Sequence, residues 1–158
     1  MDNAVSIQRR FSAIETFHRA GVRTTCFISP IFPGITDTEA IIDRAKEYCN
    51  LIWLENLNLR GSYKAVILDY IETRYPQLLP LYQELYRRGN RQYWQELDQR
   101  LRSHAQKTGL DYAASNDSIT REFNAPPVIV NYFYHEQIKK SAKKSRVFPT
   151  KEFAERTL

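Results

Sequence analysis

The chain has 158 residues, 42% of them apolar and 13% aromatic, a globular composition long enough for one domain with its own core. No apolar run approaches the roughly 18 to 20 residues of a membrane span, and the first residues, M-D-N-A-V-S, lack the basic and apolar regions of a signal peptide, so no membrane role is expected and a cytoplasmic location is the default. The net charge of +5 lies wholly in residues 139–158, where seven Lys or Arg stand against two Glu; such a tail either attracts phosphate without reading sequence or is simply a solvated terminus, so it supports a nucleic-acid partner only weakly.

In chain order, Ile7, Phe11, Ile14 and Phe17 recur at helical steps and predict a helix with one core-facing stripe, stopped by Gly21. His18 flanks that stripe without a second ligand at helical spacing and reads as a boundary residue. Residues 23–29 are rich in β-branched and aromatic side chains and predict a strand that Pro30, Pro33 and Gly34 cut off at Ser29. Thr36 and Glu39 have the spacing of a capping box, with Asp37 a helix-start residue beside it, and Ile41, Ile42, Ala45 and Tyr48 give the helix an apolar face. A second strand is expected over 51–54, and two strands one helix apart make a right-handed βαβ unit with a parallel pair. Cys26 and Cys49, on or beside these elements, read as small packed hydrophobes in a reducing compartment rather than a disulfide framework.

Three helices are expected next. Val66, Ile67, Tyr70 and Ile71 face inward until Pro76 ends the first; Leu78, Leu81, Tyr82 and Leu85 form the stripe of the second, with Pro80 in its first turn; Asn90 caps the third, in which Trp94, Leu97 and Leu101 recur until Gly109. Together they read as an elaboration packed beside the sheet, with Tyr75, Tyr82, Tyr86 and Tyr93 as core and rim residues and not a base-stacking platform. Residues 110–114 predict a short extended piece, 117–123 one or two helical turns, and 128–134 a buried strand. The organisation expected is one α/β domain over 1–138 and a loose basic tail over 139–158.

The segments F-I-S-P-I-F-P-G-I-T-D at 27–37 and I-W-L-E-N-L-N-L-R-G-S-Y at 52–63 resemble the C-terminal half of radical S-adenosylmethionine (radical SAM) proteins of the spore photoproduct lyase-like group, often labelled DNA repair photolyases. The resemblance runs from near Val5 through P-V-I-V-N-Y-F-Y-H-E at 127–136. It implies an α/β fold, a partial (β/α) barrel with parallel strands and a helical extension, and S-adenosylmethionine and a 4Fe-4S cluster as cofactors of the intact family. The family's C-x-x-x-C-x-x-C cluster motif is missing, since the two cysteines are too far apart to form it. The resemblance therefore implies a barrel that begins partway round, partnered by a cluster-bearing N-terminal half or by self-association through an open sheet edge.

Candidate site residues gather where the strands end, which is where ligands bind in parallel α/β folds. Glu55 stands first, because a carboxylate at the end of a buried strand must face a cleft or a cation. Two readings are open: a ligand site of Ser29, Glu55, Asn56 and Asn58, or a structural Glu55–Arg60 pair clamping a loop with Asx-type turns at Asn56 and Asn58. The resemblance favours adenosyl or substrate contacts for Ser29, Glu55, Asn56 and Asn58. His135 either enters the same mouth or satisfies a nearby carbonyl. The rival function is a non-enzymatic binding or assembly module that kept the scaffold.

Overall fold

Alternation along the first strand decides the architecture. In a computed structural model that describes residues 4–114, 127–131 and 133, β1 (Thr25–Ile31) buries Cys26, Ile28 and Ile31 and leaves Thr25, Phe27 and Ser29 exposed, the period of two of a strand with one face on a core. It pairs in parallel with β2 (Leu51–Asn56), which pairs in parallel with β4 (Val128–Asn131), itself parallel to β3 (Asp111–Ala114). The sheet order is β1-β2-β4-β3, so β1 and β3 are its edges among the described residues.

The expected end of β1 at Ser29 is corrected: the strand runs on to Ile31 through a cis Ser29–Pro30 bond. Ile28 pairs with Leu54 and Ile31 with Asn56, so Ser29 and Pro30 together oppose Glu55. A proline without an N–H is tolerated there because an edge-strand bulge leaves residues outside the ladder. β2 likewise continues two residues past its expected end.

α2 (Thr38–Ala45) links the two strands and buries Ile42 and Ala45. Its cap differs from the expected box. Asp37 is the N-cap and its Oδ1 accepts from the Ala40 N–H at 3.1 Å, while Thr36 Oγ1 accepts from Phe32 N–H and Glu39 pairs with Arg100 at 3.0 Å. The aspartate carboxylate is the better partner for the positive helix end.

α1 (Ile7–Arg19) meets the core only across its middle: Phe11 is buried and Ile14 partly so, but Ile7 and Phe17 are 67% and 57% exposed. α3 (Tyr63–Arg74) is rotated from the expected face, burying Leu68 and Ile71 while Val66 and Tyr70 lie in solvent. A 3₁₀ turn at Pro76–Leu78 leads into α4 (Leu79–Tyr86), with Pro80 in its first turn as expected. α5 (Gln92–Thr108) buries Trp94, Leu97, Leu101 and Ala105 and ends on Gly109 at φ 71°.

The three helices do not act alike. α5 shares one core with α1, α2 and the sheet, where its Trp94, Leu97 and Leu101 meet Cys26, Ile28, Ile52, Leu54 and Ile129. A smaller cluster joins Leu57 and Leu59, just after β2, to Leu68, Ile71 and Tyr82 of α3 and α4. The tyrosines are core and rim, as expected: Tyr82 is fully buried, Tyr86 donates to Leu57 O at 2.9 Å, and Gly34 N–H donates to Tyr93 Oη at 3.0 Å. Gly34 must remain glycine, since a Cβ there would lie 2.9 Å from Leu78 Cδ2 at a φ of +72°. Of the remaining expectations, β3 answers to 110–114 and β4 to the first four residues of 128–134. The turns at 117–123, His135 and the basic tail lie outside the described residues. Among those described, no helix is long and apolar enough to cross a membrane.

Candidate functional site

The carboxyl ends of β1 and β2 divide the site candidates into two groups. Successive strand residues point to opposite faces, so Glu55 and Asn56 cannot serve one pocket from the same ladder. On the face away from the main core, the Ser29 hydroxyl donates to Glu55 Oε2. The β1 bulge makes this contact possible by setting Ser29 against Glu55. Glu55 is therefore held by Ser29. Its second oxygen makes no hydrogen bond to a described residue, so the pair presents an acceptor at the strand ends. One step back along the same face, Phe27 pairs in register with Trp53, their rings edge to face at 5.9 Å, with Phe27 58% exposed. An aromatic surface next to a carboxylate can take a flat ring and a hydroxyl-bearing neighbour.

Asn56, Asn58 and Arg60 belong to the other group. With Asn90 and Arg91 they line a cleft of about 290 Å³ whose apolar wall includes Tyr86 and Trp94. The loop carrying them is fastened from beneath: Leu57 and Leu59 are buried, Tyr86 holds Leu57 O, and the Tyr63 hydroxyl donates to Asn58 O. Asn90 Oδ1 accepts from Gln92 N–H at 2.9 Å at the start of α5. In the sequence Arg91 is overshadowed by its neighbour Asn90, the better cap residue. The readable signal was a basic residue directly before a helix, where acids are favoured.

A second polar cluster braces the β4–β3 side of the sheet. Asp98 Oδ1 accepts from Tyr112 Oη at 2.7 Å and from Asn131 Nδ2, Oδ2 accepts from Arg102 Nε at 2.8 Å, and the Arg102 guanidinium lies 4.6 Å from the Tyr112 ring centre. Burial, and then the Asp98 charge, push the Tyr112 hydroxyl well above the ordinary tyrosine value. Asp98 and Arg102 sit at helical spacing, but nothing in the sequence announced that Tyr112 and Asn131 would join them.

Of the remaining candidates, His18 stays structural: its Nδ1 lies 3.4 Å from Thr24 Oγ1 at the edge of the core. Cys26 and Cys49 are buried free thiols in contact; that contact, and then burial, pushes the Cys49 thiol up, while the hydrogen bond from Cys49 pulls the Cys26 thiol down. Among the described residues no group of three or more His, Cys, Asp or Glu side chains is placed to hold a metal ion.

No family model matches the chain, and no solved structure does. An uncharacterized protein of Methanocaldococcus jannaschii is 36% identical over 72 residues, 46% of this chain and 27% of the relative. Uncharacterized proteins of Mycobacterium bovis and Mycobacterium tuberculosis are each 29% identical over 87 residues, 52% of this chain and 26% of theirs. This chain is thus similar, over about half its length, to about a quarter of these longer proteins.

Proposed function

We propose that this chain is the C-terminal portion of a cytoplasmic radical SAM protein of the spore photoproduct lyase-like kind, a partial barrel that supplies the adenosyl- and substrate-side wall and is inactive without a cluster-bearing half. The observation that carries the reading is the Ser29–Glu55 pair at the carboxyl ends of two parallel strands, on the face that the helices of the main core do not cover. The two motifs that resemble the family contain these residues, and the parallel sheet suits a segment of such a barrel.

The residues fit an adenosyl group. The free oxygen of Glu55 accepts from a ribose hydroxyl, Ser29 fixes the carboxylate's orientation, and Phe27 with Trp53 offers an aromatic wall to the base. When bound with a reduced cluster, S-adenosylmethionine supplies hydrogen-abstraction chemistry, to which this chain adds positioning and exclusion of water. The cluster itself does not fit here. It needs about four ligands, and this chain has two cysteines, both packed in the core.

The test is binding of S-adenosylhomocysteine to the full chain, followed by amide NMR. With adenosine contacts alone, a dissociation constant in the millimolar range is expected, about 4 kcal/mol. Shifts should centre on residues 27–29 and 53–55 and weaken about tenfold in Glu55→Gln. Binding that ignores this substitution, or shifts elsewhere, would overturn the reading.

A second reading, an assembly module, is favoured by β1 as an edge strand carrying an exposed Phe27. Self-association through this edge is compatible with either reading. Light scattering should show mass rising across micromolar concentrations, and a clean monomer would remove the edge as an interface.

A further inference from the structure

Two thiols meet where the β1–α2–β2 unit closes on itself. Cys26 is the second residue of β1 and Cys49 lies between α2 and β2; both belong to the main core, 7% and 3% exposed. The Cys49 sulfur lies within hydrogen-bonding reach of the Cys26 thiol, the Cys26 backbone N–H and the Thr24 hydroxyl.

The backbone around this contact is fastened on both sides. Thr24 N–H donates to Asn50 Oδ1 at 2.9 Å, Asn50 N–H donates to Thr24 O at 2.9 Å, and the Thr24 hydroxyl donates to Tyr48 O at 2.5 Å. Thr25 and Cys26 then pair in register with Leu51 and Ile52. Cys49 is thus held between two anchored neighbours, and the fold keeps its thiol against Cys26. A single buried cysteine is inert, but one that touches a second thiol has a resolving partner in place once its sulfur is oxidised. Where the surroundings are reducing, disulfides that do form are mostly transient and redox-sensing.

We propose that Cys26 and Cys49 are a reversible redox switch, in which hydrogen peroxide converts the thiol pair into a buried disulfide that staples the segment before β2 to the start of β1. Cys26 is the more exposed of the two, and the hydrogen bond from Cys49 holds its thiol below the ordinary cysteine value. Its sulfur attacks one peroxide oxygen, the O–O bond breaks, and the departing hydroxide takes the Cys26 proton as water. Cys49 then attacks the Cys26 sulfenic acid at sulfur: the S–S bond forms, the S–O bond breaks, and the Cys49 proton leaves with the hydroxide as a second water. Two thiols lose two electrons and two protons, and one peroxide is reduced to two waters. The link restricts the unfolded chain, so the oxidised protein is the more stable form. The switch does not depend on the barrel reading, because the thiols lie at the amino ends of β1 and β2 and the Ser29–Glu55 pair at their carboxyl ends.

The experiment treats the folded full chain with hydrogen peroxide, stops the reaction with catalase, and reads intact mass, free thiols in denaturant and the tryptic map. The expected product is a chain lighter by two hydrogens, without free thiols, with the Cys26 and Cys49 peptides linked and a urea midpoint above that of the reduced chain. Dithiothreitol should restore both mass and midpoint. Cys49→Ser should stop at the Cys26 sulfenic acid, captured by dimedone, with no rise in midpoint; the unsubstituted chain decides the matter if this variant fails to fold. Two thiols that survive peroxide in the folded chain, linkage only after unfolding in urea, disulfides between chains instead of within one, or a disulfide that leaves the midpoint unchanged or lowers it would each overturn the proposal.

Discussion

The two faces of the sheet come from the same strands and differ in what they are built to do. Toward α1, α2 and α5, alternate residues Cys26, Ile28, Ile52 and Leu54 are buried in one continuous core. Their neighbours on the opposite face include Phe27, exposed beside Trp53, and the Ser29–Glu55 pair. Side-chain volume matters on the first face, because close packing makes every missing methylene felt. On the second, polar groups persist at the strand ends because they are not sealed in. Core packing and the polar strand-end pair thus lie on opposite faces of the same strands.

Truncation on each face breaks or sharpens that separation most strongly. Ile52→Ala removes a fully buried side chain from the core and should cost about 2–5 kcal/mol in urea unfolding. Phe27→Ala should cost under about 1 kcal/mol, chiefly its edge contact with Trp53. Similar losses for the two would mean that the faces are equally packed. A smaller effect is expected at the polar brace on the core side. Asp98→Ala strands the Tyr112 hydroxyl and the Asn131 amide and should cost about 1–3 kcal/mol by the same measurement, while leaving adenosyl binding alone.

A further effect is a pH slope. Tyr112 keeps its proton in the fold to higher pH than in the unfolded chain, where tyrosine ionises near its ordinary value of about 10. The fold then binds more protons than the unfolded state, so the contribution of Tyr112 is complete below that value and declines as pH rises above it. Stability should fall by up to about 1.4 kcal/mol per pH unit there, and Tyr112→Phe should remove that share of the slope. An unchanged slope would place the Tyr112 hydroxyl in solvent.

Part of this was readable beforehand. The β1–α2–β2 unit followed from strand-forming runs one helix apart, and the α5 face followed from Trp94, Leu97 and Leu101. Periodicity reveals a stripe but not how much partner lies beneath it, which is why Ile7, Phe17, Val66 and Tyr70 emerged exposed. The Ser29 contact to Glu55 depends on a bulge at Pro30, and a proline read as a strand stop concealed it. Glu55 and Asn56 part company for a related reason. Adjacent in sequence, they lie on opposite faces once β2 extends through both.

The two tryptophans allow the central claim to be tested in one experiment, since Trp53 lies on the open face and Trp94, 3% exposed, in the core. Fluorotryptophan labelling gives two fluorine resonances, assigned with Trp53→Phe. On titration with S-adenosylhomocysteine the Trp53 line should move and the Trp94 line should stay, with the Trp53 shift lost in Glu55→Gln. Movement of Trp94 alone, or no movement of either line at millimolar ligand, would contradict the assignment of the open face as the adenosyl-side wall.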